Sequence, residues 1–234
     1  AIANYSQGAT NSSAGIKHRY LDELTPADIH ALVYQPFNVL PGTRRSMLDM
    51  LKRVFAAAVE QGVLQKDPAS PIRVKVPQRV QTVLNAGEVE RLLQEAKLVN
   101  HRFYPIWAAA LFTGMRSGEL YALKWTDIDF GSRRIYLTRA WQSKAGYGPT
   151  KNQRNRVVPV SDDLMRLLEE LRINRAQQVA GDEEYVLPHL AEWTKGAAAA
   201  VLRVFCREVG ITSIRFHDLR ATFITQMLLQ GVSL

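Results

Sequence analysis

Apolar residues recur three and four apart along "TRRSMLDMLKRVFAAAVEQGVL", where Met47, Leu48, Leu51, Val54, Phe55, Ala58 and Val59 fall on one helical stripe. Upstream, "LTPADIHALV" reads as a helix start, with Thr25 as the cap, Pro26 at the first helical position and Asp28 in the first turn. Pro41-Gly42 breaks the chain between these two helices. Residues 1–20 are polar, rich in Ser, Asn and Gly, and are expected to be loop or frayed structure. Three prolines between Pro68 and Pro77 predict an extended linker and not a core element. The domain boundary is therefore placed there, with a helical domain over 1–76, a linker over 77–85 and a second domain over 86–234.

The second half alternates between the two periods. Asn85, or Thr82 if the helix begins earlier, caps a helix that runs through Leu92 and Leu93 to about Val99. Phe103 to Phe112 is an apolar helix ended by Thr113-Gly114, after which Ser117 is expected to cap a short helix carrying Leu120 and Leu123. "WTDIDF", "RRIYLTRA" and "NRVVPV" read as three short strands, the last two joined by a long, basic, Gly-rich connection. Ser161 caps "DDLMRLLEELRINRAQQVA", closed by Gly181; another helix spans about Thr194 to Val209, closed by Gly210. A final helix holds His217 to Gln230, with Gly231 as its stop. The fold class expected is mainly α with a small antiparallel β-sheet, in two domains.

Charge narrows the function classes. Among 234 residues, 30 Lys and Arg against 22 acids give a formal +8, which favours a polyanionic partner, nucleic acid before membrane. The distribution sharpens this. From Gly131 to Ser161 there is no acid, but seven basic residues: Arg133, Arg134, Arg139, Lys144, Lys151, Arg154 and Arg156. A phosphate-facing arm accounts for that imbalance better than a solvated hairpin. Arg44, Arg45, Lys52 and Arg53 add a basic helix that would track a nucleic-acid backbone. The longest apolar run, Tyr104 to Phe112, is too short to span a bilayer, so no membrane partner is expected. Cys206 is the only cysteine, which excludes an intrachain disulfide and favours a reducing, cytoplasmic setting; its apolar neighbours make it a core residue. No His or Cys spacing suits zinc, and "GYGPTK" lacks the spacing of a nucleotide-binding loop, so neither metal nor cofactor is expected.

Three stretches carry candidate chemistry. Metal-free phosphodiester transfer needs fixed cations around the non-bridging oxygens, a proton donor for the leaving oxygen and an in-line nucleophile. Arg116 lies in the joint between two helices, His217 and Arg220 lie three apart at a helix start, and Lys151 lies in the basic connection. Each residue alone keeps a bland alternative: Arg116 paired with Glu119, Arg220 with Asp218 or a backbone carbonyl, Lys151 as plain surface.

Together, "TGMRSGELYALKWTDID", "PTKNQRNRVVPVS" and "HDLRATFIT", in that order, resemble the tyrosine recombinase (phage integrase) family. The first is similar to its first-arginine box, the second to its strand-turn lysine and the third to its His-x-x-Arg box. The resemblance implies a helical core-binding domain followed by a catalytic domain, closing as a C-shaped clamp on double-stranded DNA at a core recombination site. It implies that Arg116 and Arg220 clamp the scissile phosphate, that Lys151 is the general acid, that His217 assists proton transfer and that Glu119 braces the site. Arg44, Arg45, Lys52, Arg53, Arg139, Lys144, Arg154 and Arg156 are the expected DNA contacts. The family forms a 3′-phosphotyrosyl intermediate, passes through a Holliday junction and works as a homotetramer on paired sites, which implies action at the nucleoid of a bacterial or phage-infected cell. One departure stands out: all eight tyrosines precede Arg220, the last being Tyr185. The expectation is a C-terminal truncation that binds DNA without the cleaving residue. A type IB topoisomerase and a non-catalytic DNA-binding regulator are the rival readings.

Overall fold

The computed structural model describes residues 19–35, 38–78, 80–142, 145–150, 155–176, 184–194 and 196–232. The expected loop over 1–18 and the Gly181 stop lie outside them. The chain is mainly helical with two small antiparallel sheets, and it divides into two compact units, Ala1–Arg79 and Val80–Leu234. Among the described residues no helix is long and apolar enough to cross a membrane.

The first unit is built on α1 (Pro26–Tyr34) and α2 (Pro41–Glu60). α1 starts where its sequence says it should. Thr25 Oγ accepts the Asp28 N–H (3.3 Å) and the Asp28 carboxylate accepts the Thr25 N–H (2.8 Å), so two otherwise orphaned donors are satisfied reciprocally. Ile29 and Val33 of α1 pack with Leu48, Phe55 and Ala58 of α2. The same core contains Leu64, Ala69, Ile72 and Val74, which corrects the linker reading of the proline-rich stretch. Asp67 turns the chain there: its carboxylate accepts the Ala69 N–H (2.7 Å), and the Ile72 N–H reaches the Ala69 carbonyl (3.1 Å). Tyr34 Oη and Lys52 Nζ then donate to the carbonyls of Arg73 and Ile72 (2.9 and 3.0 Å). Pro68 and Pro71 stiffen a packed segment, and only Pro77 falls in an exposed one. Exposed, non-helical backbone begins only at Lys75 and continues, Arg79 aside, to Thr82.

The second unit forms around α4 (Tyr104–Thr113), of which Ile106 to Leu111 are all buried. A helix that is apolar all round needs partners on every side. It finds them in α3 (Ala86–Leu98), α6 (Asp162–Ala176) and α9 (Phe216–Leu229). α3 carries the Asn85 cap, reciprocated by Glu88 (both 2.9 Å). Leu84, just before it, is buried in this second core. Its backbone is held by α9, since Thr222 Oγ accepts the Leu84 N–H (3.1 Å) and Gln226 Nε2 donates to its carbonyl (3.2 Å). Ser161 Oγ accepts the Leu164 N–H at the start of α6 (3.3 Å).

Among the described residues five strands replace the three expected. β1 (Ile128–Asp129), β2 (Arg134–Leu137) and β5 (Arg156–Pro159) form one antiparallel sheet in the order β1-β2-β5. Ile135 faces Val158 across it, and the alternation of Ile135 and Leu137 with exposed Arg134 and Tyr136 gives the buried face. "RRIYLTRA" breaks at Thr138. Its second half becomes β3 (Arg139–Gln142), which pairs with β4 (Gly146–Pro149) in a separate hairpin inside the supposed loop. The helix expected from Thr194 is likewise two, α7 (Ala191–Thr194) and α8 (Ala198–Glu208), with Gly196 at φ 75° between them. Cys206 is buried on α8, and burial pushes its thiol pKa up, as befits a core residue.

Limited trypsin digestion of the native protein should cut after Lys75 before it cuts after Lys52 or Arg73, whose neighbourhoods are packed. First cleavage within 52–73 would mean that the proline-rich segment is not part of the first core.

Candidate active site

α4 ends because Gly114 takes the left-handed conformation (φ 59°) while its N–H still reaches the Ala110 carbonyl (3.0 Å). A side chain there would be strained, and its Cβ would collide with the Phe223 ring of α9. Three residues later α5 (Ser117–Tyr121) begins. Its cap is Arg116, not Ser117 as the sequence suggests. Ser117 Oγ accepts the Trp193 indole N–H instead (2.7 Å), so it is engaged elsewhere. Glu119 does the capping: it accepts the Arg116 backbone N–H on Oε2 (2.8 Å) and the Arg116 Nη1 on Oε1 (2.9 Å). Gly118 has no room for a side chain, since its Cβ would strike the Trp141 carbonyl oxygen of β3.

Glu119 is 1% exposed and would be costly to bury alone. A second guanidinium comes from β5: Arg156 grips the same carboxylate with both prongs, Nη1 to Oε1 (3.2 Å) and Nη2 to Oε2 (2.6 Å). The third is Arg220 on α9, whose Nη1 donates to the Gly114 carbonyl. Burial, and then the nearby charges of Arg116 and Arg156, push the Arg220 pKa below the ordinary arginine value, with Glu119 opposing. Two guanidinium groups from separate elements thus hold one carboxylate, and a third, from α9, lies near enough to feel the charge of all three. Within these four residues two positive charges are left over, and that excess suits a bound phosphate. His217 is exposed one turn before Arg220, and both line an open pocket of about 260 Å³ with Val83 and Ile224.

α9 begins with the same device as α5. Arg215 is its cap and Asp218 is the acid three residues on, accepting the Arg215 backbone N–H (2.8 Å), Nε (3.1 Å) and Nη2 (3.0 Å). Asp218 is therefore not the partner of Arg220. Burial raises the Asp218 pKa, but the hydrogen bonds and charge of Arg215, aided by His217, outweigh it and hold the carboxyl below its ordinary 3.8. Neither Arg215 nor Gly118 stood out in the sequence; the repeated spacing of Arg and acid, "RSGE" and "RFHD", is the signal that would have found them.

The remaining expected DNA contacts are distributed as follows. Arg139 pairs with the buried Asp127 (3.1 Å). Lys144, Lys151 and Arg154 lie outside the described residues. On α2, Arg44 donates to the Val39 carbonyl (3.1 Å) and lies over the Tyr34 ring, while Lys52 is tied to Ile72. Arg45 and Arg53 are exposed around Asp49, Arg45 as an ion pair with its carboxylate (3.3 Å) and Arg53 through its carbonyl (3.3 Å).

A model of the phage integrase family matches residues 82–234, which is the second unit almost entire. The chain belongs to the phage integrase family. This integrase-family chain is similar to a XerC-like tyrosine recombinase of Caldanaerobacter subterraneus subsp. tengcongensis, 26% identical over 227 residues, covering 82% of this chain and 56% of that one. It is also similar to the ICEBs1 integrase of Bacillus subtilis, 24% identical over 203 residues, covering 80% and 54%. The chain spans about half the length of the curated relatives it matches. Among solved structures, the Tn1549 transposon integrase in complex with circular intermediate DNA aligns with a TM-score of 0.74 at 18% identity, covering 91% of this chain and 76% of that one. A lambda integrase dimer bound to a COC′ core site aligns with a TM-score of 0.63 at 20% identity, covering 91% and 76%. At these identities the structural likeness is one of fold.

Two predictions test the joint on which this integrase-family site is built. Gly114→Ala should destabilise by about 2–4 kcal/mol, combining left-handed strain with overpacking against Phe223. Gly42→Ala on α2, where an added Cβ meets nothing within 4 Å, should be neutral or slightly stabilising in the same urea titration. Equal midpoints would remove the Gly114 constraint. The second concerns acid. Because the folded Asp218 pKa is depressed, its contribution to stability is fully present above the unfolded value near 3.8 and is lost as pH falls through the folded value. Arg215→Met removes the side-chain hydrogen bonds and charge that oppose burial and keeps only the backbone N–H and His217 against it, so acid unfolding followed by circular dichroism should begin at higher pH. Coincident acid-unfolding curves for variant and parent would count against the assignment.

Proposed function

We propose that the chain supplies the DNA-binding and phosphate-activating parts of a site-specific DNA recombinase. The observation that carries this reading is the pairing of Arg116 and Arg156 with one buried carboxylate, with Arg220 close by and a net positive excess, inside a phage integrase family unit. Arg116 and Arg220 clamp the scissile phosphate and stabilise the charge that grows on its non-bridging oxygens. Glu119 braces Arg116. Lys151 is the general acid for the 5′-oxygen and His217 assists the proton transfer, in keeping with its exposed place beside Arg220. Residues 1–76 act as the core-binding domain, 77–85 as the linker and 86–234 as the catalytic domain. The basic residues of α2, with Arg139, Lys144 and Arg154, hold the duplex backbone.

No tyrosine of these residues follows Arg220, so the nucleophile of the 3′-phosphotyrosyl step is supplied from outside them. The reaction then runs through a Holliday junction in a tetramer on two core sites, acting at the nucleoid in the cytoplasm. A lambda integrase tetramer bound to a Holliday junction is among the structures this chain resembles, with a TM-score of 0.62.

Two measurements test the reading. Affinity for a duplex carrying the target site should fall on the order of a thousandfold between about 50 and 200 mM salt, as roughly six or more phosphate contacts require. A flat salt dependence would reject a DNA-binding role. In the intact recombinase, Arg116→Ala and Arg220→Ala should each slow strand cleavage by on the order of a hundredfold or more. Lys151→Ala should also slow it, but a 5′-bridging phosphorothioate, whose thiolate leaves without a proton, should restore the Lys151 variant and neither Arg variant. Equal restoration of all three would take the acid role from Lys151. Supercoil relaxation without sequence preference would favour the topoisomerase reading.

A further inference from the structure

The Glu119 carboxylate has four acceptor positions, and all four are filled. Oε1 accepts Arg116 Nη1 (2.9 Å) and Arg156 Nη1 (3.2 Å); Oε2 accepts the Arg116 backbone N–H (2.8 Å) and Arg156 Nη2 (2.6 Å). Arg156 therefore provides the two-pronged grip, and Arg116 gives the carboxylate a single side-chain N–H. We infer that Arg156 is a positioning residue that holds the Arg116 guanidinium through Glu119 and does not itself contact the DNA backbone. The inference rests on the recombinase reading for the reaction it serves.

With one cation in place of two, Glu119 would be left with an unfilled acceptor position on each oxygen. A desolvated carboxylate attracts whatever donor lies near it, and a bidentate pairing is stronger than a single hydrogen bond. Arg116 is the cap of the very helix that carries Glu119 three residues on, so it is the nearest candidate. Without Arg156, the fork of Arg116 would turn inward to complete the pairing. The donors that a phosphate needs would then face the carboxylate. Arg156 prevents this by filling both oxygens from β5, a different element, 37 residues further along the chain. Its placement adds a second effect. Arg156 opens β5 opposite Leu137 of β2, so the grip on Glu119 also fixes the strand end that immediately follows the 151–154 segment.

A phosphate contact and a positioning residue differ in two readouts. Each phosphate neutralised contributes about 0.9 to the slope of log affinity against log salt. For Arg156→Gln the slope for duplex DNA should equal that of the parent. The single-turnover cleavage rate of the intact recombinase at saturating DNA should nevertheless fall on the order of tenfold to a hundredfold, as misplacement of a charge-stabilising group does. Arg156→Lys, which keeps the charge but not the fork, should recover part of that rate. In an Arg116→Ala background, Arg156→Gln should cost little more, because the group it positions is already gone. Should Arg156→Gln fail to fold, Glu119→Gln with Arg156→Gln removes the unpaired buried charge, and its slope is compared with that of Glu119→Gln alone. A slope lowered by about 0.9, an unchanged cleavage rate, or a full additional loss in the Arg116→Ala background would overturn the inference. If the parent itself neither binds nor cleaves DNA, the recombinase reading fails instead.

Discussion

One buried carboxylate sets the terms for the second unit. Glu119 is almost wholly removed from water, and an unpaired charge in that position costs far more than any single hydrogen bond returns. The fold answers with two guanidinium groups from two elements, and those groups are thereby fixed in space. A carboxylate that needs arginines and arginines that need holding are one solution to two problems. The surplus of positive charge that results is a by-product of satisfying Glu119 while Arg220, tied to a backbone carbonyl, keeps its own charge uncompensated nearby.

The route by which these residues meet is short. Gly114 stops α4, its carbonyl receives Arg220, and its missing side chain leaves space for Phe223 on the same helix. A single left-handed glycine thus ties the box around Arg116 to the box around Arg220. Both boxes open with an arginine cap and an acid three residues on, so each helix start carries its own arginine–carboxylate pair. The hairpin of β3 and β4 lies against α5 because Gly118 allows the Trp141 carbonyl to come close. Small residues here decide where charged ones can stand.

What was legible in the sequence was local. The Thr25 and Asn85 caps, the Gly114, Gly210 and Gly231 stops and the apolar α4 depend on residues within one turn of each other, and they stand where the pattern puts them. The errors have distant causes. Ser117 is a good cap in isolation, but Trp193 takes its hydroxyl from 76 residues away. The proline-rich stretch has a linker's composition, yet Lys52 and Tyr34 of the first unit hold its carbonyls. "RRIYLTRA" has one strand's alternation, but its halves pair with different partners. Arg116, Glu119 and Arg220 could be singled out by type and order, and their mutual geometry could not, because it is made by α4, α5 and α9 together. Arg156 is the sharpest case. In the sequence it is one of seven basic residues in an acid-free run, and only the fold reveals the carboxylate it grips.

The hold of α9 on Leu84 has a consequence for synthesis. Thr222 and Gln226 satisfy a backbone donor and acceptor that left the ribosome roughly 140 residues earlier, at separations of 138 and 142. Until α9 emerges, α4 has an apolar flank with nothing against it and the strand-like entry to α3 has no partner. The first unit, whose core draws only on residues between Ile29 and Val74, faces no such delay. Vectorial translation therefore yields a folded first unit attached to an open, adhesive intermediate, and Arg116, Arg156 and Arg220 come together in the same late event that buries it. A nascent chain stalled before Phe216 would carry Arg116 and Glu119 with no counterpart to Arg220, so the charge cluster is completed only when folding is.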